Sequence, residues 1–415
     1  MNKFKLMLAS VAITALTAGA SVAQEKVRIA FIDPLSGPFA TTGTQGLAIY
    51  RHSVKELVNE PGALLEGQAE FEMVPFDNKI SAKESLIQLQ VAMDQGIRII
   101  AQGASSGVAN ALTEAVAKHN RRNPDDPVIF LNHSAVDPAL TNDKCQFWHF
   151  RFDANADIKM DALTDDIAAN PDIKKVYIIG QDYSFGKAVA AAAQRFLKEK
   201  RPDIEIVGNE LHPIGKVKDF TPYARKIVGS GADAVITGNW GGDMVGLGKA
   251  VMGAGFDKPI YTYYGATSGI TAAFGEEGDG IVKLVGAGQV NPPATPEAQE
   301  FVAAFYETFP DLDFGQPQMA NVAPMLAAAI NEVGNATDIK AIAYALEGME
   351  YDSIVTGKTV MRDSDHQVIQ TVTVQGQTPD DILFEYDKSG RGMVAETVVE
   401  MASADSSTTC EMKRP

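Results

Sequence analysis

Short apolar, β-branched runs that repeatedly give way to helical stretches constrain this chain more than any other feature. Val27–Ile32, Phe71–Pro75, the run from Ile97 to Ala101 and Val128–Leu131 read as strands. Helical stretches lie between them at Gly46–Val58, Ala82–Asp94 and from Val108 to about His119. A second series follows Phe150, with strands at Lys175–Ile179, Ile204–Glu210, Ala234–Thr237 and Pro259–Tyr264. Its helices run up to Lys200 and over Phe220–Gly229 and Met244–Gly255. Parallel strands need a crossover long enough to hold a helix, so this alternation predicts α/β architecture, with parallel sheets covered on both faces. Two such series in 415 residues suit two domains, each with its own core.

Beyond them, Asn291-Pro292-Pro293-Ala294-Thr295-Pro296 breaks the pattern, and Pro296 suits the first turn of a helix reaching Phe309. Helices are expected over Ala320–Val333 and Asp338–Gly348, and a strand over Gln367–Val374. The Ser/Thr-rich tail from Ala402 carries no pattern of its own.

The N-terminus points to export. Lys3 and Lys5 precede a short apolar run from Leu6 to Ala18, then Ser21-Val22-Ala23 supplies the small residues of a cleavage site. Residues 1–23 are therefore expected to be a signal peptide, with Gln24 starting a soluble mature chain. A formal charge of −17 sets the protein against nucleic acid and anionic lipid as partners. Cys145 and Cys410 are its two cysteines. In an exported protein they are expected to form a bridge tying the tail to the body, the alternative being two unpaired thiols.

The chemistry narrows to one turn. Gly103-Ala104-Ser105-Ser106-Gly107 spells Gly-x-Ser-x-Gly, the nucleophile turn of many hydrolases. A secreted serine hydrolase would need an acid and a histidine after Ser105, and Asp233 or Asp243 with His366 supplies that order. However, His366 sits in a polar turn that nothing marks as a base. The same turn joins a strand to a helix start, where unpaired N–H groups hold anions and serine caps or holds a ligand. Gly180 to Lys187 misses the P-loop by one residue and lacks its metal-binding hydroxyl. The six histidines make no metal-ligand spacing, so neither a metal nor a cofactor is expected.

Binding fits the pattern better than catalysis. Ser105, Ser106, Ser134, Tyr183, Phe185, Trp240, Tyr263 and Tyr264 all fall at the carboxyl ends of expected strands, where open α/β sheets bind ligands. Aromatic walls with a few fixed polar groups describe a small-molecule site.

Ala30-Phe31-Ile32-Asp33-Pro34-Leu35-Ser36-Gly37-Pro38 and the Ala104-Ser105-Ser106 turn resemble the leucine/isoleucine/valine-binding proteins of bacterial ABC importers. So do Asp137-Pro138-Ala139-Leu140-Thr141, Tyr183-Ser184-Phe185-Gly186 and Lys218-Asp219-Phe220-Thr221. The resemblance runs from about Lys26 to Gln375. It implies two Rossmann-like lobes joined by three crossovers, the type I periplasmic binding protein fold, closing on a small-molecule carboxylate. The expected partner is a membrane permease, and the expected location the periplasm. The crossovers are expected near Phe150–Asn155, Gly286–Asn291 and Gly357–His366. Residues 24–152 with 288–360 would form the first lobe, 153–287 with 361–376 the second, and 377–415 a C-terminal extension.

The resemblance further implies that Ser105 and neighbouring N–H groups hold the ligand carboxylate. Ser134 matches a second site position, Phe185 and Trp240 replace tyrosines, and Thr42 replaces an aromatic residue. Tyr264 stands where the family's amino-acid binders carry a glutamate for the ligand ammonium. Either Asp243 or Asp182 takes over that task, or the ligand has no ammonium. Branched-chain or other apolar amino acids and aromatic carboxylates are the expected ligands.

Overall fold

A computed structural model describes residues 25–60, 65, 69–267, 269–289 and 291–415, and the expected signal peptide lies outside them. The first sheet holds β1 (Glu25–Asp33), β2 (Ala69–Asp77), β3 (Ile99–Gln102), β4 (Ile129–Asn132) and β5 (His149–Arg151). These strands lie in the order β2-β1-β3-β4-β5, all parallel. Helices α1 (Ala40–Val54), α2 (Ala82–Asp94) and α3 (Ser106–Arg122) cross between them. Every residue of β3 and β4 is buried, as expected for strands covered on both faces.

The chain then passes to the second lobe at α4 (Ala156–Ala169), whose start is fixed by Asn155 Oδ1 accepting from Ile158 N at 2.9 Å. That lobe contains β6 (Lys175–Gln181), α5 (Ser184–Lys200), β7 (Glu205–His212), α6 (Thr221–Gly229) and β8 (Ala234–Thr237). α7 (Gly241–Gly253), β9 (Ile260–Thr262), α8 (Ile270–Phe274) and β10 (Val282–Ala287) follow. A second crossing returns the chain to the first lobe. There α9 (Pro296–Thr308), α10 (Val322–Val333) and α11 (Ile339–Leu346) pack against the first sheet, as do β11 (Glu350–Ser353), β12 (Gly357–Met361) and β13 (Val368–Ile369).

The third crossing differs from expectation. The apparent strand Gln367–Val374 is two strands, β13 in the first lobe and β14 (Val372–Thr378) in the second. The crossing therefore lies between Ile369 and Val372, beyond the boundary expected at residue 360. The polar residues in this stretch serve the hinge. Gln367 Oε1 accepts from Arg151 Nε at 2.7 Å, and Gln370 Nε2 donates to Phe152 O at 3.0 Å. The alternation of polar and apolar residues runs on through Gln370 and Thr371 and so hides the break.

Residues past 376 are not a separate extension. β15 (Gly392–Val399) pairs antiparallel with β14 as the edge of the second sheet, whose order is β15-β14-β10-β9-β8-β6-β7. The loop before β15 reaches the first lobe, where Tyr306 and Phe384 stack with centroids 5.2 Å apart. The final residues also return there. Cys410 is bonded to Cys145, with Cα atoms 5.8 Å apart, so the tail straps one lobe to the other. Among the described residues no helix is long and apolar enough to cross a membrane.

Candidate functional site

The carboxyl ends of both sheets face one cleft of about 420 Å3, counted to its solvent-filled mouth. The seven expected residues, Thr42, Ser105, Ser106, Ser134, Phe185, Trp240 and Tyr264, all line it. So do Asp33, Gly103, Ala104, His133, Tyr183, Thr267, Gln316 and Met319.

At the first-lobe end, β3 stops at Gln102 and α3 begins at Ser106, with Ser105 as its extended N-cap. The Ser105 hydroxyl makes no capping bond, which leaves it available to a ligand. Ser106 is committed, because its Oγ accepts from Asp137 N at 3.2 Å. The first N–H groups of any α-helix lack intrahelical acceptors, and the turn that leads into them lines the cleft. This end suits a carboxylate.

A buried network holds the turn in place. Asp33 ends β1, and its Oδ1 accepts from Ala104 N at 3.0 Å and from Gly103 N and Gln102 Nε2 at 3.3 Å. Asp33 Oδ2 lies 3.0 Å from His133 Nε2, and Tyr50 Oη meets His133 Nδ1 at 3.2 Å. One carboxylate thus ties the ends of β1 and β3 to the residue that follows β4. Gly103 is required by close approach, since a Cβ there would sit 2.4 Å from the His133 ring.

That network also decides against a nucleophilic Ser105. The nitrogens of His133 face Asp33 and Tyr50. His366, the base expected of a hydrolase, stacks on Phe150 at 3.9 Å and meets Glu347 at 2.7 Å; it does not line the cleft. A triad needs a base in hydrogen-bond reach of the serine, and the described residues supply none.

The second-lobe wall is aromatic. Phe185 packs edge-on against Tyr263 and Tyr264, with centroids 5.4 and 5.8 Å apart. Trp240 Nε1 donates to Tyr183 Oη at 2.9 Å. Burial holds the Tyr183 and Tyr264 phenols well above the ordinary tyrosine range, so both stay neutral. Two contacts reach across the cleft. Phe39 from the first lobe packs on Trp240 at 4.3 Å, and Tyr264 Oη donates to Ser134 O at 3.0 Å. Gly241 makes the first possible, because a Cβ there would meet the Phe39 ring at 2.7 Å.

Among the described residues that line the cleft, Asp33 is the one carboxylate. Asp243 accepts from Gln181 Nε2 at 2.8 Å and Gly215 N at 2.7 Å, outside the cleft lining. Asp182 pairs with Lys187 at 3.1 Å and is absent from the lining too. Asp33 does line the cleft; the donors described above occupy its Oδ1, and its Oδ2 lies 3.0 Å from His133 Nε2. Ser134, expected as a ligand contact, has its one hydroxyl proton within reach of His133 O at 2.7 Å and Gln316 Oε1 at 2.9 Å. Asp33 and His133 could have been found by extending the strand-end rule to β1 and β4. Gln316 and Met319 come from the returning segment, which no strand pattern marks.

Two lobes facing one cleft walled by aromatics, with a helix start at one end, define a two-lobed solute-binding protein. The chain belongs to the periplasmic binding protein family, whose model matches residues 26–379. It is 32% identical over 373 residues to Leu/Ile/Val-binding protein homolog 4 of Brucella melitensis biotype 1, covering 87% of this chain and 86% of that one. The crystal structure of a leucine-, isoleucine-, valine-, threonine- and alanine-binding protein from Brucella ovis, in its closed conformation, superposes with a TM-score of 0.82. Its identity is 27%, over 94% of this chain and all of that one. A solute-binding protein of an R. palustris ABC transporter, in complex with benzoate, shares the fold at a TM-score of 0.77 and 18% identity, over 93% of this chain and 99% of that one.

Proposed function

We propose that this protein captures a small apolar or aromatic carboxylate in the periplasm and hands it to the membrane permease of an ABC importer. One observation carries the choice of ligand: the cleft has an open anion end at Ser105 and no unengaged carboxylate at the other, where Tyr264 stands. A helix start favours a carboxylate by about 0.3–1 kcal/mol when exposed, and more when partly buried. An ammonium shut in the closed cleft without a partner is costly. The aromatic wall of Tyr183, Phe185, Trp240 and Tyr264 supplies apolar contact instead.

Binding would work by hinge closure, with the Phe39–Trp240 and Tyr264–Ser134 contacts forming as the lobes meet. The second reading, a branched-chain amino acid, is favoured by the names of the relatives in Brucella. Thermal-shift titration with benzoate, 4-methylpentanoate and leucine separates the two. A ligand at about 100 times its Kd adds about 2.7 kcal/mol of stability. Stabilisation by the acids at concentrations where leucine does nothing is expected; stabilisation by leucine alone would overturn the ammonium-free reading.

A further inference from the structure

Residues 400–415 join the two lobes beside the hinge. β15 ends at Val399 on the edge of the second sheet, and α12 (Met401–Ala404) follows, with Ala404 buried in the second-lobe core. Asp405, the next residue, is held by the first lobe. Arg362, in the turn between β12 and β13, donates through Nη1 to Asp405 Oδ1 and Ser406 O. Beyond it the chain keeps to the first lobe. Thr408 Oγ1 donates to Thr141 O at 2.8 Å, Thr409 N to Asn142 Oδ1 at 2.9 Å, and Arg414 Nε to Glu347 Oε1 at 2.9 Å. Cys410 is bonded to Cys145, so the attachment is covalent.

This attachment is continuous with the hinge. Arg362 also holds Asp365, at 2.8 Å through Nε and 2.6 Å through Nη2, and Asp365 Oδ1 accepts from Gln367 N at 3.2 Å. Arg151 then bonds both Gln367 and Thr141. The tail is thus fastened at both ends of one chain of polar contacts, which links the first crossing to the third.

We propose that the tail is a further crossing whose tight fastening holds the lobes toward closure, and that it thereby sets the ligand affinity of the cleft. The proposal rests on the hinge-closure reading of binding and adds what limits the open state. No spare residue separates the buried Ala404 from the fixed Asp405. Parting the lobes must therefore pull α12 from its core or break the Arg362 contacts. All of these contacts are made in a conformation where Phe39 meets Trp240 and Tyr264 meets Ser134 across the cleft. The open state alone bears the cost. A chain that opens more readily spends less time in its binding-competent form, and its apparent affinity falls by that fraction.

Inserting Gly-Ser-Gly between Ala404 and Asp405 isolates this effect, because it lengthens the connection by about 10 Å while every contact and the disulfide can still form. Opening is read as the distance distribution between spin labels at Thr41→Cys and Lys216→Cys. Both positions are exposed, on opposite sides of the place where the Phe39 ring lies against Gly215 and Gly241. Without ligand, the lengthened chain is expected to show a longer-distance population that the native chain lacks. Benzoate and leucine are the probe ligands for calorimetry. Whichever binds the native chain should bind the lengthened one with an affinity lower by about fivefold or more, the lower range of coupling between sites. Cys145→Ser with Cys410→Ser frees the far end of the tail and should move both readings the same way. An unchanged distance distribution in the folded insertion chain would overturn the proposal, and so would native affinity in a chain that opens further. If neither probe binds the native chain, the ligand assignment above fails, and the ligand-free distances alone decide the role of the tail.

Discussion

Tyr264→Glu puts back the carboxylate that the amino-acid binders of the resembling family carry, and so tests what the far end of the cleft selects. The substitution removes the Tyr264–Ser134 hydrogen bond at 3.0 Å, the edge contact to Phe185 at 5.8 Å and the tilted contact to Tyr263 at 6.5 Å. A hydrogen bond is worth about 0.5–1.5 kcal/mol net and an aromatic pair a similar amount, so closure weakens for every ligand. Discrimination moves the other way. A charge-assisted bond to an ammonium contributes about 1.5–3 kcal/mol, or about 10- to 100-fold in affinity. Lys159 does not compete fully for the new carboxylate, because Asp153 holds it at 2.7 Å. The measured quantity is the affinity ratio of leucine to 4-methylpentanoate, its deaminated analogue, by calorimetry on both chains. The ratio cancels the shared loss from weaker closure, and a melting curve checks that the variant folds. Expected is a rise of about tenfold or more in favour of leucine. A ratio unchanged within about threefold, in a folded variant, would refute the placement of Tyr264 at the ammonium end.

Ser105→Ala removes a hydroxyl with no capping bond, so it should leave the melting temperature nearly unchanged. Carboxylate affinity should fall about 10- to 100-fold by calorimetry, the worth of one bond to a charged group. Cys410→Ser releases the strap between tail and first lobe and should cost about 2–5 kcal/mol in denaturant unfolding, with alkylation confirming the freed Cys145. His149 is fully buried, and burial, with Arg151 and His366 nearby, holds its pKa well below the ordinary 6.5. The unfolded chain therefore binds a proton that the folded one refuses, so stability is lost as pH falls below about 6.5, by up to about 1.4 kcal/mol per pH unit. His149→Asn should flatten that slope in melting curves taken from pH 7 to pH 5. Arg151→Met should destabilise by about 1–3 kcal/mol for each buried acceptor it leaves unpaired, read in denaturant melts, because the side chain is fully buried and bonded to Gln367, Asp137 O and Thr141 at the hinge.

The α/β alternation was legible because buried parallel strands and their crossovers leave strong local marks. Ala82–Asp94 and Ala234–Thr237 come out with the boundaries their patterns suggest, one capped by Ser81, the other buried at every position. The last third was harder to read. Gln367–Val374 looks like one strand because both halves are buried, yet Gln367 and Gln370 bond to Arg151 and Phe152 across the hinge. β15 carries a weak signal because its edge position leaves most of Val394–Val399 half-buried or exposed, with Glu396 and Thr397 interrupting the apolar run. Its place in the sheet depends on β14, which pairs across a loop that first visits the other lobe.

The same contrast explains the site. Residues at strand ends, from Ser105 to Tyr264, share a position that sequence pattern can name, and they meet in one cleft. What pattern cannot name is which of their atoms are already engaged. Ser134 looks like a ligand holder until Gln316, far along the chain, takes its hydroxyl. Asp33 stands at the cleft with its Oδ1 already taken by Gln102, Gly103 and Ala104 and its Oδ2 3.0 Å from His133 Nε2. Selectivity in this cleft is set by those prior commitments. Subtracting them leaves the Ser105 turn at one end and the aromatic wall that reaches Tyr264 at the other, which is why deaminated acids, rather than amino acids, are the ligands to titrate first.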